Sequence, residues 1–262
     1  MSSTMDFDDA TSRMVDQIYA SPDVAATRQA VYRAIAPRAG EHFLDLGSGP
    51  GYLAVDLARS AGPAGSCTGV DLSATMIRLA GEKATGIDTL DLHHADITAL
   101  PFDDARFDAV TALQTLAYVP DLDAALGEIA RVLRPGGRAV ILDTDFDGVV
   151  WQARDRARMR RILDAYDSHV VWPDLPRILP ARLQAAGLVL SRCEVVPFLN
   201  LGFHPNSFSV GFSRVVGAYV VRNGIAQEEV DAWVAEQQAL DQAGEFFFSM
   251  LRFLFHVTKP AP

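Results

Sequence analysis

The sequence predicts an α/β domain built on a parallel sheet with helices on both faces. Three observations predict it. Strand-like and helix-like runs alternate from Glu41 to Asp143, a Gly-rich turn directly follows the first strand, and 262 residues suffice for one large domain with its own core. No internal repeat or low-complexity linker divides the chain. Residues 1–262 are therefore read as one domain, with a helical N-terminal cap over 1–40, a half over 41–146 that carries the turn, and a half over 147–262 with helical insertions.

Glu41–Leu46 is the first strand and runs into Gly47-Ser48-Gly49-Pro50-Gly51. Tyr52–Ser60 follows with helical periodicity. Ser66–Asp71 is the second strand. Ser73 is placed to cap a helix over Ala74–Ala84, because its hydroxyl can accept from a free amide of the first turn. Leu90–His94 and Phe107–Leu113 are strands three and four. Leu122–Leu133 is helical and stops at Arg134-Pro135-Gly136-Gly137, a strong breaker. Arg138–Asp143 is the fifth strand. Beyond it the pattern loosens. Val149–Tyr166 reads as a helix, Leu175–Ala186 as another ended by Gly187, and Leu188–Val196 as a strand. Ser207–Arg222 and Gln227–Ala243 read as helices, and Phe246–Val257 as a last strand. The segment before Gly40 reads as helices beside the sheet.

The formal charge of −10 argues against a broad phosphate-binding surface, and so against nucleic acid as partner. The run Arg154, Arg156, Arg158, Arg160, Arg161, broken by Asp155, reads as the polar face of a helix. Cys67 and Cys193 each sit in an apolar, strand-like run. Without a Cys-x-x-Cys or a His/Cys cluster, neither a disulfide framework nor a metal site is indicated. The N-terminus is acidic, without an apolar signal core, and no apolar run approaches bilayer-spanning length. A soluble protein in a reducing, cytoplasmic setting is the expectation, and a homodimer is left open.

Gly47, Gly49 and Gly51 mark a place where backbone must approach a ligand closely, at the carboxyl end of a strand where doubly wound sheets bind ligands. A dehydrogenase-type turn would carry its third glycine at position 52, which is Tyr52. Three acids stand at successive strand ends. Asp45 lies inside the first strand, where an unpaired carboxylate is costly to bury. Asp71 can accept two hydrogen bonds from a ribose diol, or serve as a turn aspartate beside Ser73. Asp96 can accept from an exocyclic amine of adenine, with Leu72 and Ile97 against the ring faces, or be a surface loop residue.

Leu44-Asp45-Leu46-Gly47-Ser48-Gly49-Pro50-Gly51 resembles the first motif of class I S-adenosylmethionine-dependent methyltransferases. Gly69-Val70-Asp71-Leu72-Ser73 with Met76 resembles their second. Ala95-Asp96-Ile97, with Leu100-Pro101-Phe102 and Phe107-Asp108, resembles the third. Glu128–Gly137 is similar to the segment before strand five. The match runs from Gly40 to Asp145 and is nearest the ubiquinone/menaquinone-biosynthesis type and related small-molecule enzymes. The resemblance implies a doubly wound, seven-stranded, mostly parallel sheet in the order 3-2-1-4-5-7-6, with strand seven antiparallel and the helical additions forming a lid. It implies S-adenosyl-L-methionine as cofactor. Gly47, Ser48 and Gly49 would line its methionine part, with Asp45 near the amino end. Asp71 would hold the ribose and Asp96 with Ile97 the adenine, and Leu72 and Met76 of the second motif count with them as cofactor-binding residues. Gln114 matches a position whose backbone meets the methionine amine. Tyr19 and Arg28 match a Tyr and an Arg before the first strand, and Arg28 could grip the methionine carboxylate with its planar fork. The C-terminal half matches less well, through Trp233 and Gly244–Phe248.

The implied reaction is methyl transfer to an oxygen, nitrogen or carbon of a small molecule, one that is apolar or aromatic if Trp151, Trp172, Phe203, Phe208 and Phe212 line a pocket rather than plain core. His204, His169 and Asp145 are the candidates for a general base. His42, His93, His94 and His256 read as structural. Two rival readings stay open, a nicotinamide-dependent oxidoreductase and a catalytically silent S-adenosylmethionine-binding protein.

Overall fold

The computed structural model describes residue 16 and residues 18–261, so residues 1–15 and 17 of the expected N-terminal cap lie outside the described residues. Helix α1 (Pro22–Ile35) precedes β1 (His42–Leu46). Then come α2 (Tyr52–Ala61), β2 (Ser66–Asp71), α3 (Ala74–Lys83), β3 (Leu90–His94), β4 (Phe107–Leu113), α4 (Leu122–Val132) and β5 (Leu133–Thr144). The remainder is β6 (Val150–Trp151), α5 (Arg156–Asp167), α6 (Leu175–Ala185), β7 (Val189–Asn200), α7 (Phe208–Arg222), α8 (Gln227–Gln242) and β8 (Phe248–Thr258).

The sheet has the order β3-β2-β1-β4-β5-β8-β6, with β7 also paired to β8. The pairings among β1 to β5 are parallel, whereas β8 is antiparallel to β5, β6 and β7. The two-residue β6 pairs Val150 and Trp151 with Ser249 and Phe248, beyond the stretch of β8 that β5 covers. It prolongs the β5 edge and adds an eighth strand. With β6 set aside, β8 stands beside β5 as the expected antiparallel strand seven, and β7 lies beyond it as strand six.

Two layers of core hold the helices to the sheet. Side chains alternate between faces along a strand. Phe43 therefore packs with Val31, Ile35, Leu53 and Leu57 beneath α1 and α2, while Leu44 and Leu46 join the cluster beneath α4 and α6. Helix α3 is capped as its sequence predicts, the Met76 amide donating to Ser73 Oγ at 3.3 Å.

The stretch from Val149 to Tyr166 is not one helix. Val150 and Trp151 are strand, and α5 begins only at Arg156, where the Asp155 carboxylate accepts from the Arg158 amide at 2.9 Å. Its arginines face helix α8, with Arg158 paired to Glu236 and Arg161 to Glu229. The Arg134–Gly137 breaker ends α4 without ending the pairing. The ladder between β4 and β5 shifts register there, Phe107 opposing Leu133 and Ala109 opposing Arg138, and the loop is pinned by Gly136 donating to the Lys259 carbonyl.

Candidate functional site

The turn after β1 is shaped by contacts that leave no room for side chains. Gly47 has φ +62°, and a Cβ there would lie 2.4 Å from Thr115 Oγ1. Thr115 is fixed in turn, donating to the carbonyls of Leu46 (3.1 Å) and Leu113 (3.2 Å). Gly51 packs α2 against α3, where a Cβ would meet the Ala80 Cβ at 2.7 Å. The turn closes by Gly51 donating to the Ser48 carbonyl and is tied to β2 by Ser48 donating to the Val70 carbonyl.

The acids at the strand ends converge on this turn. Asp71 accepts from the amides of Gly49 and Ser73, each at 2.8 Å, so both oxygens are oriented while each keeps further accepting capacity. Asp45 is 2% exposed and accepts from Thr111 Oγ1 at 2.7 Å. Burial pushes its pKa up to about 7, against the lowering effect of that bond and with help from the negative charge of Asp71. Burial also raises Asp71. Asp96 stands apart on an exposed turn, one oxygen accepting from the Thr98 amide (2.9 Å) and hydroxyl (2.8 Å). Leu72 is 69% exposed, an apolar side chain standing in solvent at the rim beside Asp71. Ile97 and Met76 are buried.

The N-terminal residues complete a small hollow whose lining includes Tyr19, Arg28, Asp45, Gly47, Ser48 and Tyr52. Tyr19 lies over Gly49, and burial followed by the charges of Asp71, Asp45 and Asp143 keeps its hydroxyl protonated. The Arg28 guanidinium sits 5.0 Å from the Tyr52 ring centre, with Nε 3.4 Å from Asp56 Oδ2. Neither Arg28 Nε nor Nη1 has a hydrogen-bond partner among the described residues, although both are buried, and the same holds for Ser48 Oγ. Buried donors without partners are uncommon and point to a ligand that supplies them.

At the end of β4, Gln114 takes a left-handed conformation, φ +54°, uncommon for a residue with a side chain. Its amide donates to the Leu142 carbonyl at 2.7 Å. Its side chain donates to Asp143 Oδ1 at 3.0 Å and accepts from Thr144 Oγ1. Asp143, fully buried and pushed up to about 7 by burial, accepts from the Leu116 amide at 3.0 Å. Sequence reasoning missed Thr115, Tyr52 and Asp143. Asp143 carried a signal equal to that of Asp45, an acid inside an apolar strand.

The three candidates for a general base are held by other interactions. Asp145 forms a two-pronged pair with Arg177, at 3.0 Å to Nε and 2.8 Å to Nη2, which occupies both of its oxygens. His204 is exposed on the loop before α7, and its backbone carbonyl accepts from Ser207. It is not among the residues that line the hollow at the glycine turn. His169 is fully buried, stacked on Tyr166 with ring centres 3.8 Å apart. Its Nδ1 is 2.6 Å from the Tyr166 carbonyl, which fixes the proton there, and burial lowers its pKa to about 4.

The aromatic residues of the C-terminal half form core rather than a pocket wall. Trp151, Phe212, Phe208 and Phe198 stack in succession, with centres 5.8, 5.1 and 4.0 Å apart. Phe203 packs on Phe246, and Trp172 donates to the Val119 carbonyl at 2.8 Å. Of the five expected at an acceptor pocket, only Trp151 lines the wider groove between residues 146–153 and α5.

Comparisons with known proteins agree with this architecture. Residues 44–141 match the family model of a methyltransferase domain. A demethylmenaquinone methyltransferase of Staphylococcus aureus is 39% identical over 117 residues, 45% of this chain and 48% of the relative. The chain thus spans about half the length of the curated relatives it matches. Among solved structures, a Haemonchus contortus phosphoethanolamine N-methyltransferase in complex with S-adenosyl-L-methionine aligns with TM-score 0.63 at 19% identity, covering 97% of this chain and 58% of that one. The [4+2]-cyclase SpnF aligns with TM-score 0.59 at 23% identity, covering 91% and 82%. At these identities the solved structures show a shared fold.

Proposed function

We propose that this chain binds S-adenosyl-L-methionine and transfers its methyl group to a small molecule. The observation that carries the reading is the set of buried atoms on Arg28 and Ser48 that make no hydrogen bond to a described residue, beside a glycine turn closed to side chains. An amino acid–nucleoside cofactor suits these groups. Its carboxylate would satisfy Arg28, whose planar fork matches two oxygens. The Gln114 carbonyl, with Asp45 and Asp143 close by, offers acceptors for an ammonium group. Asp71 would hold the ribose hydroxyls and Leu72 would cover an adenine face, with Asp96 and Ile97 at the far end. The matching methyltransferase domain and the Staphylococcus relative support the same reading.

When bound, the cofactor supplies an electrophilic methyl group on a positively charged sulfur. The protein then has two tasks, to position the acceptor and to exclude water. Positioning alone can supply about 7–11 kcal/mol of barrier lowering. Tyr19 closes over the glycine turn, where a ring face would also favour a nearby cation. None of the three candidate bases is among the residues that line the hollow. The reading therefore gives His169, His204 and Asp145 no proton-transfer role, and the acceptor would arrive ionised or lose its proton to water.

Isothermal titration with S-adenosylmethionine, S-adenosylhomocysteine, NAD and NADP tests the proposal directly. Saturable heat with the first two alone is expected. Heat with a nicotinamide dinucleotide alone would overturn the reading in favour of an oxidoreductase. Because a [4+2]-cyclase shares the fold, turnover of labelled methyl groups on an acceptor panel separates an enzyme of methyl transfer from a protein that only holds the cofactor.

A further inference from the structure

Among the described residues, Arg252 is the only buried Arg or Lys, at 4% exposure. It lies on β8, opposite Thr144 of β5 and Val196 of β7. Side chains directly opposite share a face of the sheet. Thr144 is bonded to Gln114, so Arg252 stands beside the rim of the proposed methyl-transfer site. Along β8, Phe248, Met250, Arg252 and Leu254 point to one face. Phe248 and Met250 belong to the aromatic core of α7 and α8, and Leu254 to the core beneath α1 and α2. Arg252 sits where those two apolar clusters part.

Its guanidinium lies over the Phe198 ring, with the central carbon 3.3 Å from the ring centre. That contact uses the flat face of the group and leaves its N–H edges free. None of them bonds to a described residue, and Nε is sealed from solvent without a partner. Asp23, in the first turn of α1, is the carboxylate whose charge acts on it, but the two form no ion pair. One oxygen of Asp23, Oδ2, is engaged, accepting from Asn200 Nδ2 at 3.1 Å and from the Phe208 amide at 2.8 Å. Burial accordingly lowers the arginine pKa to about 9. A methionine would cover Phe198 without the cost of an unpaired buried charge. Among the described residues, no anion is bonded to this cation.

We infer that Arg252 recognises a carboxylate on the methyl acceptor, holding it between the tips of β5 and β8 and the start of α1. The inference rests on the methyl-transfer reading and narrows it: the acceptor has an anionic head as well as an apolar body. The planar fork suits two carboxylate oxygens at once, and Phe198 holds the fork in place.

The test uses wild type, Arg252→Met and Arg252→Lys as the full chain. Each is titrated with S-adenosylhomocysteine. Each is then titrated, with and without that ligand, with hydroxybenzoic and hydroxynaphthoic acids and with their neutral amides. Wild type should bind the acids at least ~10-fold more tightly than the amides. Arg252→Met should lose that preference while binding S-adenosylhomocysteine unchanged and melting no lower than wild type. Arg252→Lys should keep part of it. Acids that bind no better than amides, or not at all, overturn the inference, as does a preference that survives in Arg252→Met. Both variants melting well below wild type would mark a structural cation and overturn it too. Failure of the wild type to bind S-adenosylhomocysteine, with the acid preference intact, would sink the methyl-transfer reading and leave the carboxylate site standing.

Discussion

The two halves of the sheet are built on opposite terms. Around the glycine turn, polar groups are buried: Arg28 Nε and Nη1 and Ser48 Oγ make no hydrogen bond to a described residue, and Asp45 and Asp143 are acids in apolar strands. Around β8, the interior is filled by stacked rings from Trp151 to Phe198. Stability is withheld in the first region and concentrated in the second. The contrast locates where a ligand belongs more sharply than cavity size does, because the wider groove lies in the better-packed half.

Substitutions can break this contrast if it is wrong. The largest effect expected is on the packed side. Trp151→Ala removes a ring at van der Waals contact with Phe212, Trp233 and Phe248 and should cost about 3–5 kcal/mol of stability in chemical denaturation, with cofactor affinity unchanged in what remains folded. On the open side, Gly47→Val drives a branched side chain into Thr115 at a left-handed backbone position. Calorimetry should show S-adenosylmethionine binding weakened roughly a hundredfold or more, ~2.7 kcal/mol. Asp71→Ala frees the Gly49 amide and removes the ribose acceptor, with a loss of about tenfold or more in the same assay.

A smaller effect follows from pH. Asp45 and Asp143 titrate in the fold at about 7, against ~3.9 for an unfolded aspartate. Between those values the folded protein holds more protons than the unfolded chain, so stability declines as pH rises from about 4 to about 7 and then levels off. Melting at pH 5, 6, 7 and 8 should show that decline, flattened in Asp45→Asn. A cationic ligand favours the ionised acids, so S-adenosylmethionine affinity should increase severalfold from pH 6 to pH 8, and less in the variant. A flat profile in the wild type would mean that these acids are not buried as described.

The legible part of the molecule was the part governed by local rules. Ser73 caps its helix because a hydroxyl three residues before an amide can reach it, and Gly47 bends because only glycine fits beneath Thr115. Such constraints are written within a few residues. Trp151 was read into a helix because its neighbours Val149 and Val150 are as apolar as helix-face residues. What makes it a strand is β8, nearly a hundred residues later, which the local pattern does not contain. Asp145 looked available because it follows a strand, yet Arg177, 32 residues on, occupies it. Arg252 escaped notice entirely, since an arginine within an apolar run gives no hint of which way its strand turns it.

The place of β8 also sets an order of assembly. β7 pairs with β8, and β8 alone joins it to β5. A ribosome that has just released Asn200 has made a twelve-residue strand with no neighbour to receive it. Val195, Leu199 and Leu201, exposed even in the finished sheet, are then bare on a free ribbon. That half of the sheet closes only once Phe248–Thr258 has been translated, and until then β7 is an unpaired strand of the kind that invites aggregation.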